Sequence, residues 1–208
     1  MDEIRAVVFD CDGVMFDTAD VNRLYYNRLL SNFNKPSLTQ EQFVNVHMFS
    51  VKGAIDYLFP EKENLDDVYA YMKGLKYAEF IKHMAIEPGL IALLDGLKEN
   101  GYVRAVATNR TDTMGAVLKE FELLNRFESV VTAADVEHPK PAPDQLLKIM
   151  EQFGLKPRQI LFIGDSQFDE MAALGAGTVF AAFKNASLTA DFHFNSMAAI
   201  GAMMNINL

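Results

Sequence analysis

Three short apolar runs, each cut off by polar residues, constrain this chain most. Residues 4–9 (IRAVVF), 102–107 (YVRAVA) and 160–163 (ILFI) are rich in β-branched and aromatic side chains and read as buried strands. Residues 128–132 and 178–182 are weaker runs of the same kind. Residues 90–99, 113–124, 144–153 and 168–174 carry helical periodicity between them. Strands alternating with helices of about ten residues imply right-handed βαβ units and a parallel sheet. The expected fold class is α/β, with a Rossmann-like sheet core.

Residues 18–84 break this alternation. Segments 21–33, 39–46, 52–58 and 65–83 all look helical, and Pro36 and Pro60 punctuate them. The segment reads as an all-helical insertion. The expected domains are a core of residues 1–17 and 86–208 and an inserted helical domain of residues 18–85.

Composition narrows the function classes. A net charge of −9 disfavours a nucleic-acid partner. It would also repel an anionic substrate unless cations are concentrated at the site. The single cysteine, Cys11, rules out an intramolecular disulfide framework. The N-terminus lacks the pattern of a secretory signal, and no run approaches a membrane span. The expectation is a cytoplasmic protein with no membrane partner.

In open α/β sheets, ligands bind at the carboxyl ends of the strands. The first strand runs into Asp10-Cys11-Asp12-Gly13. In extended backbone, positions i and i+2 face one side, so both carboxylates can aim at one site. One can bind a cation and attack phosphorus; the other can carry a proton. The second strand ends Thr108-Asn109-Arg110, offering a hydroxyl and an amide to an anion. Lys140 stands between Pro139 and Pro141 on a stiffened loop before a helix. The run at 160–163 leads to Gly164-Asp165-Ser166-Gln167-Phe168-Asp169, where Asp165 can join Asp10 in an oxygen-rich magnesium site. Asp169, one turn later, can reach back to the metal site through water or support Lys140. Taken singly, these segments also read as ordinary turns and helix starts. Their order along successive strand ends is what specifies them.

That order resembles the haloacid dehalogenase superfamily, in the subfamily with a helical cap after the first strand, where phosphoglycolate phosphatases and β-phosphoglucomutases fall. The motifs are DCDGVMFD at residues 10–17, ATN at 107–109, KPAPD at 140–144 and GDSQFDE at 164–170. The resemblance implies that Asp10 is the nucleophile and forms an aspartyl-phosphate. Asp12 would protonate the leaving group, activate water, and ligate magnesium through its backbone carbonyl. Thr108 and the amide of Asn109 would hold the phosphoryl group, Lys140 would neutralise its charge, and Asp165 with Asp169 would complete the metal site.

Dehalogenase and phosphonate-cleaving relatives lack an acid at the second Asp, so Asp12 favours phosphate esters. Lys52 is expected either to contact the distal part of the substrate or to stand solvated; phosphonate-cleaving relatives use a cap lysine to form a Schiff base. Arg110 is expected near the site mouth, His47 near a specificity loop, and Cys11 in the core. Residues 16–18 and 87–89 are expected hinges for cap closure.

The resemblance thus implies a magnesium-dependent phosphatase acting on a small phosphorylated metabolite, as a monomer or homodimer. A phosphosugar mutase of the β-phosphoglucomutase kind would use the same residues. A non-catalytic phospho-ligand-binding module would not need to keep Asp10, Asp12, Lys140 and Asp165 together.

Overall fold

The computed structural model describes residues 4–61, 65–75 and 77–206. The chain begins with β1 (Ala6–Phe9) and the short β2 (Phe16–Asp17). It continues through α1 (Ala19–Asn32), α2 (Gln40–Met48), α3 (Val51–Leu58), α4 (Leu65–Gly74) and α5 (Ala78–Ile81) to β3 (Ala85–Ile86). Then come α6 (Leu90–Glu99), β4 (Val103–Thr108), α7 (Met114–Glu120), β5 (Ser129–Thr132), α8 (Asp144–Phe153), β6 (Ile160–Gly164), α9 (Gln167–Ala176), β7 (Val179–Phe183), β8 (Phe192–Phe194) and α10 (Met197–Met203).

Six strands form one parallel sheet in the order β5-β4-β1-β6-β7-β8. Both faces are covered, which explains the near-continuous apolar runs. Alternate residues of β1 serve opposite faces. Val7 and Phe9 pack with Val106, Ile163 and Phe183. Ala6 and Val8 pack with Ala105, Phe162 and Phe180 on the other side. Phe162 is fully buried, and its truncation to Ala would cost about 3–5 kcal/mol.

The strand order places the site. From β1 the chain builds outward through β4 and β5, then returns to β6 on the other side of β1. The direction reverses at β1, so the carboxyl ends of β4, β1 and β6 border one crevice.

The helical insertion leaves and re-enters through β2 and β3, which pair antiparallel, Phe16 with Ile86 and Asp17 with Ala85. Buried aromatics, among them Tyr25, Tyr26 and Phe80, make much of its interior. Thr39 closes a capping box with Gln42 at the start of α2, and the Ser50 side chain caps α3.

Several boundaries differ from the sequence expectation. The helix expected over 65–83 is divided, with α4 ending at Gly74, a poor helix former; residue 76 lies outside the described residues. The helix expected over 113–124 stops at Glu120, and Glu122 turns the chain with a φ of 57°. β8 and α10 were not anticipated, because β8 is a three-residue edge strand with little burial to write a pattern. No helix among the described residues is long and apolar enough to cross a membrane.

Candidate active site

Asp10 directly follows β1, and its N–H donates to the carbonyl of Ile163 at 2.9 Å, so the neighbouring strand fixes it. Lys140 comes from the loop between β5 and α8. Its Nζ donates to Oδ1 of Asp10 at 2.7 Å and to Oδ1 of Asp169 at 2.6 Å. All three residues are buried.

Asp169 is held by the start of its own helix. Ser166 Oγ caps α9 by accepting from the Asp169 N–H. In return Asp169 Oδ2 accepts from the N–H and hydroxyl of Ser166, at 3.0 and 2.6 Å. One oxygen of Asp169 therefore builds the helix start and the other holds the lysine. The S-x-x-D spacing was visible in the sequence, yet only the fold gives it this second use.

Asp165 completes the group. Oxygens of Asp10, Asp165 and Asp169 lie within 4.8 Å of one another. Asn185 braces the Asp165 backbone by donating to its carbonyl at 2.8 Å. Three carboxylates against one ammonium leave two formal negative charges in a buried space. Burial pushes the Asp10 carboxyl up to about 7, with Lys140 opposing and Asp169 adding to the rise. Burial likewise raises Asp165, and the charges of Asp169 and Asp10 reinforce it. Burial works against a charged Lys140, but Asp10 and Asp169 overcome it and hold the ammonium protonated. An all-oxygen donor set with excess negative charge fits a hard divalent cation such as magnesium.

Asp12 is set apart from this group. Its carboxylate faces Arg110, which donates from Nε to Oδ2 at 2.7 Å and from Nη2 to Oδ1 at 2.6 Å. Burial would raise Asp12, but the guanidinium overrides it and holds the carboxyl down to about 2. Asn22 of α1 donates to Asp12 Oδ1 at 3.2 Å and meets His47 Nδ1 at 3.2 Å, while its own Oδ1 accepts from the Tyr77 hydroxyl at 3.1 Å. Burial lowers the His47 pKa, against the pull of Asp12. Arg110 was anticipated only as lying near the mouth, and nothing in the sequence pointed to Asn22.

Thr108 ends β4 with its side chain buried. Its Oγ1 accepts from the Arg110 N–H at 3.1 Å, and its carbonyl accepts from Gln145 of α8 at 2.7 Å.

Asn109 lines the cavity. Its Nδ2 donates to the carbonyls of Met48 (3.0 Å) and Lys140 (2.9 Å), which uses both side-chain hydrogens, so contact with a phosphoryl group would fall to its backbone N–H. Lys52 was expected either at the substrate or in solvent, and the structure places it in solvent. It stands in the first turn of α3, its side chain 79% exposed, and pairs with Asp56 one turn on. It does not line the cavity.

That cavity, about 240 Å³, lies between the helical insertion and the strand ends. Asp10, Asp12, Thr108, Asn109, Lys140 and Asp165 line it from the core, and Asn22, His47, Met72, Lys73 and Tyr77 line it from the insertion. Its size suits a small ligand.

A family model for haloacid dehalogenase-like hydrolases matches residues 7–183. A phosphoglycolate phosphatase of Mannheimia succiniciproducens is 30% identical over 186 residues, covering 84% of this chain and 83% of that protein. The crystal structure of a subfamily IA hydrolase of the same superfamily from Geobacter sulfurreducens is 34% identical, with a TM-score of 0.83 over 96% of this chain and 99% of that one. A β-phosphoglucomutase from Clostridium difficile, 19% identical, shares the fold at a TM-score of 0.86 over 97% of this chain and 96% of that one.

Proposed function

The chain belongs to the haloacid dehalogenase-like hydrolases, and we propose that it is a phosphatase that hydrolyses a small phosphomonoester through an aspartyl-phosphate on Asp10. The observation that carries this reading is the placement of Lys140, 2.7 Å from Asp10 and 2.6 Å from Asp169 at the reversal point of the sheet.

Lys140 aligns one carboxylate oxygen of Asp10. Among the described residues the other oxygen has no protein donor in hydrogen-bond range, which leaves it for attack on phosphorus. As the Asp10 oxygen bonds to phosphorus, the ester P–O bond breaks. Asp12, ionised while Arg110 holds it, must first separate from the guanidinium and take up a proton from solvent, and the leaving oxygen then takes that proton. Asp12 then accepts a proton from the water that attacks the phospho-aspartate, releasing phosphate and restoring Asp10. Lys140 offsets the charge that builds on the phosphoryl oxygens. Asp10 and Asp165 would hold magnesium, with Asp169 behind them and the Asp12 carbonyl as a further oxygen. Bound there, the ion would supply positive charge against the excess of carboxylates that Lys140 alone does not offset. The small cavity and the phosphatase relative favour a small metabolite as substrate.

The test is phosphate release from a panel of phosphomonoesters, with magnesium and with chelator, using wild type and Asp10→Asn. The expected result is release that requires magnesium and is lost in the variant. Turnover that survives Asp10→Asn would remove Asp10 as the nucleophile.

A further inference from the structure

Two neighbouring side chains just beyond β7 reach two different parts of the molecule. Asn185 donates from Nδ2 to the Asp165 carbonyl at 2.8 Å. Its Oδ1 accepts from the N–H and hydroxyl of Ser187, at 3.1 and 2.6 Å, which fixes the amide. Lys184, one residue earlier, donates from Nζ to both oxygens of Glu87, at 2.6 and 2.7 Å. Glu87 is buried and stands where the chain re-enters the core, between β3 and α6. Its N–H donates to the Met15 carbonyl at 2.9 Å, so it also holds the segment by which the chain leaves β1 for the helical insertion. One residue thus ties both connections of the insertion to the loop that braces a carboxylate of the acidic group.

The loop is itself firmly set. Lys184 has a φ of 51°, a conformation uncommon outside glycine that persists only where the surroundings impose it. Its N–H donates to the Phe194 carbonyl at 2.8 Å, which anchors the turn on β8. Lys184 is half-exposed, but among the described residues Glu87 has no other side-chain partner, and a buried carboxylate stripped of its cation is strongly disfavoured.

We propose that Lys184 is a positioning residue. Through Glu87 it sets the joint of the helical insertion, and through Asn185 it shares that setting with Asp165. A cation at the carboxylates then steadies the joint, and a steadied joint strengthens the cation site, because coupling between two sites is reciprocal. The inference rests on the magnesium fit of the phosphatase reading and adds the route by which that site and the insertion sense one another. Gly13 packs against Asp165 from the exit side of the same joint, so loss of Lys184 should weaken the coupling without abolishing it.

The experiment is hydrogen–deuterium exchange on the full chain, in chelator and in saturating magnesium, read on the peptide that carries the Glu87 and Gly89 amides. In wild type, magnesium should slow this exchange about fivefold, the low end of ordinary coupling between sites. In Lys184→Met the slowing should fall below about twofold, and Lys184→Arg, which keeps a cation able to meet both oxygens, should restore most of it. The ratio between the two conditions is what is read, so a general loosening of the fold by the substitution cancels. Calorimetry should find magnesium binding about fivefold weaker in Lys184→Met, which never touches Asp165, and about tenfold weaker in Asn185→Ala, which removes the brace itself.

Equal magnesium protection in wild type and Lys184→Met would overturn the proposal, as would absence of protection in a wild type that calorimetry shows to bind magnesium. Either result leaves the phosphatase reading intact. A wild type that binds no magnesium would remove the metal from that reading and this inference with it.

Discussion

Gly13 lies so close to Asp165 that a β-carbon at position 13 would fall 2.1 Å from Oδ2 of Asp165. The turn after β1 therefore seats directly against the carboxylate at the end of β6. Gly13 also has a φ of 79°, which L side chains rarely adopt. Gly13→Ala should cost roughly 1 kcal/mol or more in stability and push the Asp165 carboxylate out of the acidic group. Calorimetric titration with magnesium should find weaker binding than in wild type. Unchanged magnesium affinity would show that Asp165 does not need this seat.

Removal of the lysine should be felt across the site. Lys140→Met deletes the one ammonium bonded to both Asp10 and Asp169. Breaking a buried ion pair from one side typically costs about 3–5 kcal/mol. Here the remaining carboxylates can protonate, so the loss should be largest at neutral and alkaline pH. Denaturant unfolding at pH 5 and pH 8 measures it; equal losses at the two values would contradict the account.

The reach of the sequence had a physical limit. Asp10, Lys140, Asp165 and Asp169 could be placed together because each follows an apolar strand or precedes a helix, and strand ends converge in a parallel sheet. The pairing of Arg110 with Asp12 was not legible, because it depends on where a long flexible side chain points across 98 residues of chain. Asn22 and Tyr77 reach the site from the helical insertion, whose internal packing leaves no periodic trace of which residue faces the core. Lys52 was left open between substrate and solvent for a related reason. A lysine two residues into a helix has no apolar pattern to fix its direction, and the fold turns it to solvent.

The carboxylate group predicts an inverted pH response for the metal-free protein. Burial raises Asp10 to about 7, above the 3.8 of an ordinary Asp. Between these values the folded state holds a proton that the unfolded chain has lost. The stabilising contribution is complete below about pH 4 and is lost as pH rises through about 7, at no more than about 1.4 kcal/mol per pH unit for one group. In chelator, the part of the melting curve that depends on this site should decline from pH 4 to 7. Saturating magnesium, which favours the carboxylate form, should flatten the decline, and Asp10→Asn should shrink it in the chelated protein, leaving the part that Asp165, also raised by burial, contributes. Thermal melts across this range decide the matter; a decline that persists unchanged in Asp10→Asn would assign it to other groups.

Asn109 ties the helical insertion to the loop that carries Lys140, since its two amide hydrogens go to the Met48 and Lys140 carbonyls. Among the described residues its buried Oδ1 has no partner, so what the residue contributes here is its donors. Two substitutions separate shape from hydrogen bonding. Asn109→Leu keeps the bulk, removes the orphan acceptor, and leaves two carbonyls undonated, at about 1–3 kcal/mol for each that stays dry. Asn109→Asp keeps the shape but turns an acceptor oxygen toward those carbonyls, so it should destabilise more than Leu. Both should raise KM, because the tether to Met48 that holds the insertion over the cavity is gone. Thermal melts with steady-state kinetics test the order. Wild-type stability in Asn109→Asp would mean that the bridge contributes nothing to holding the two parts together.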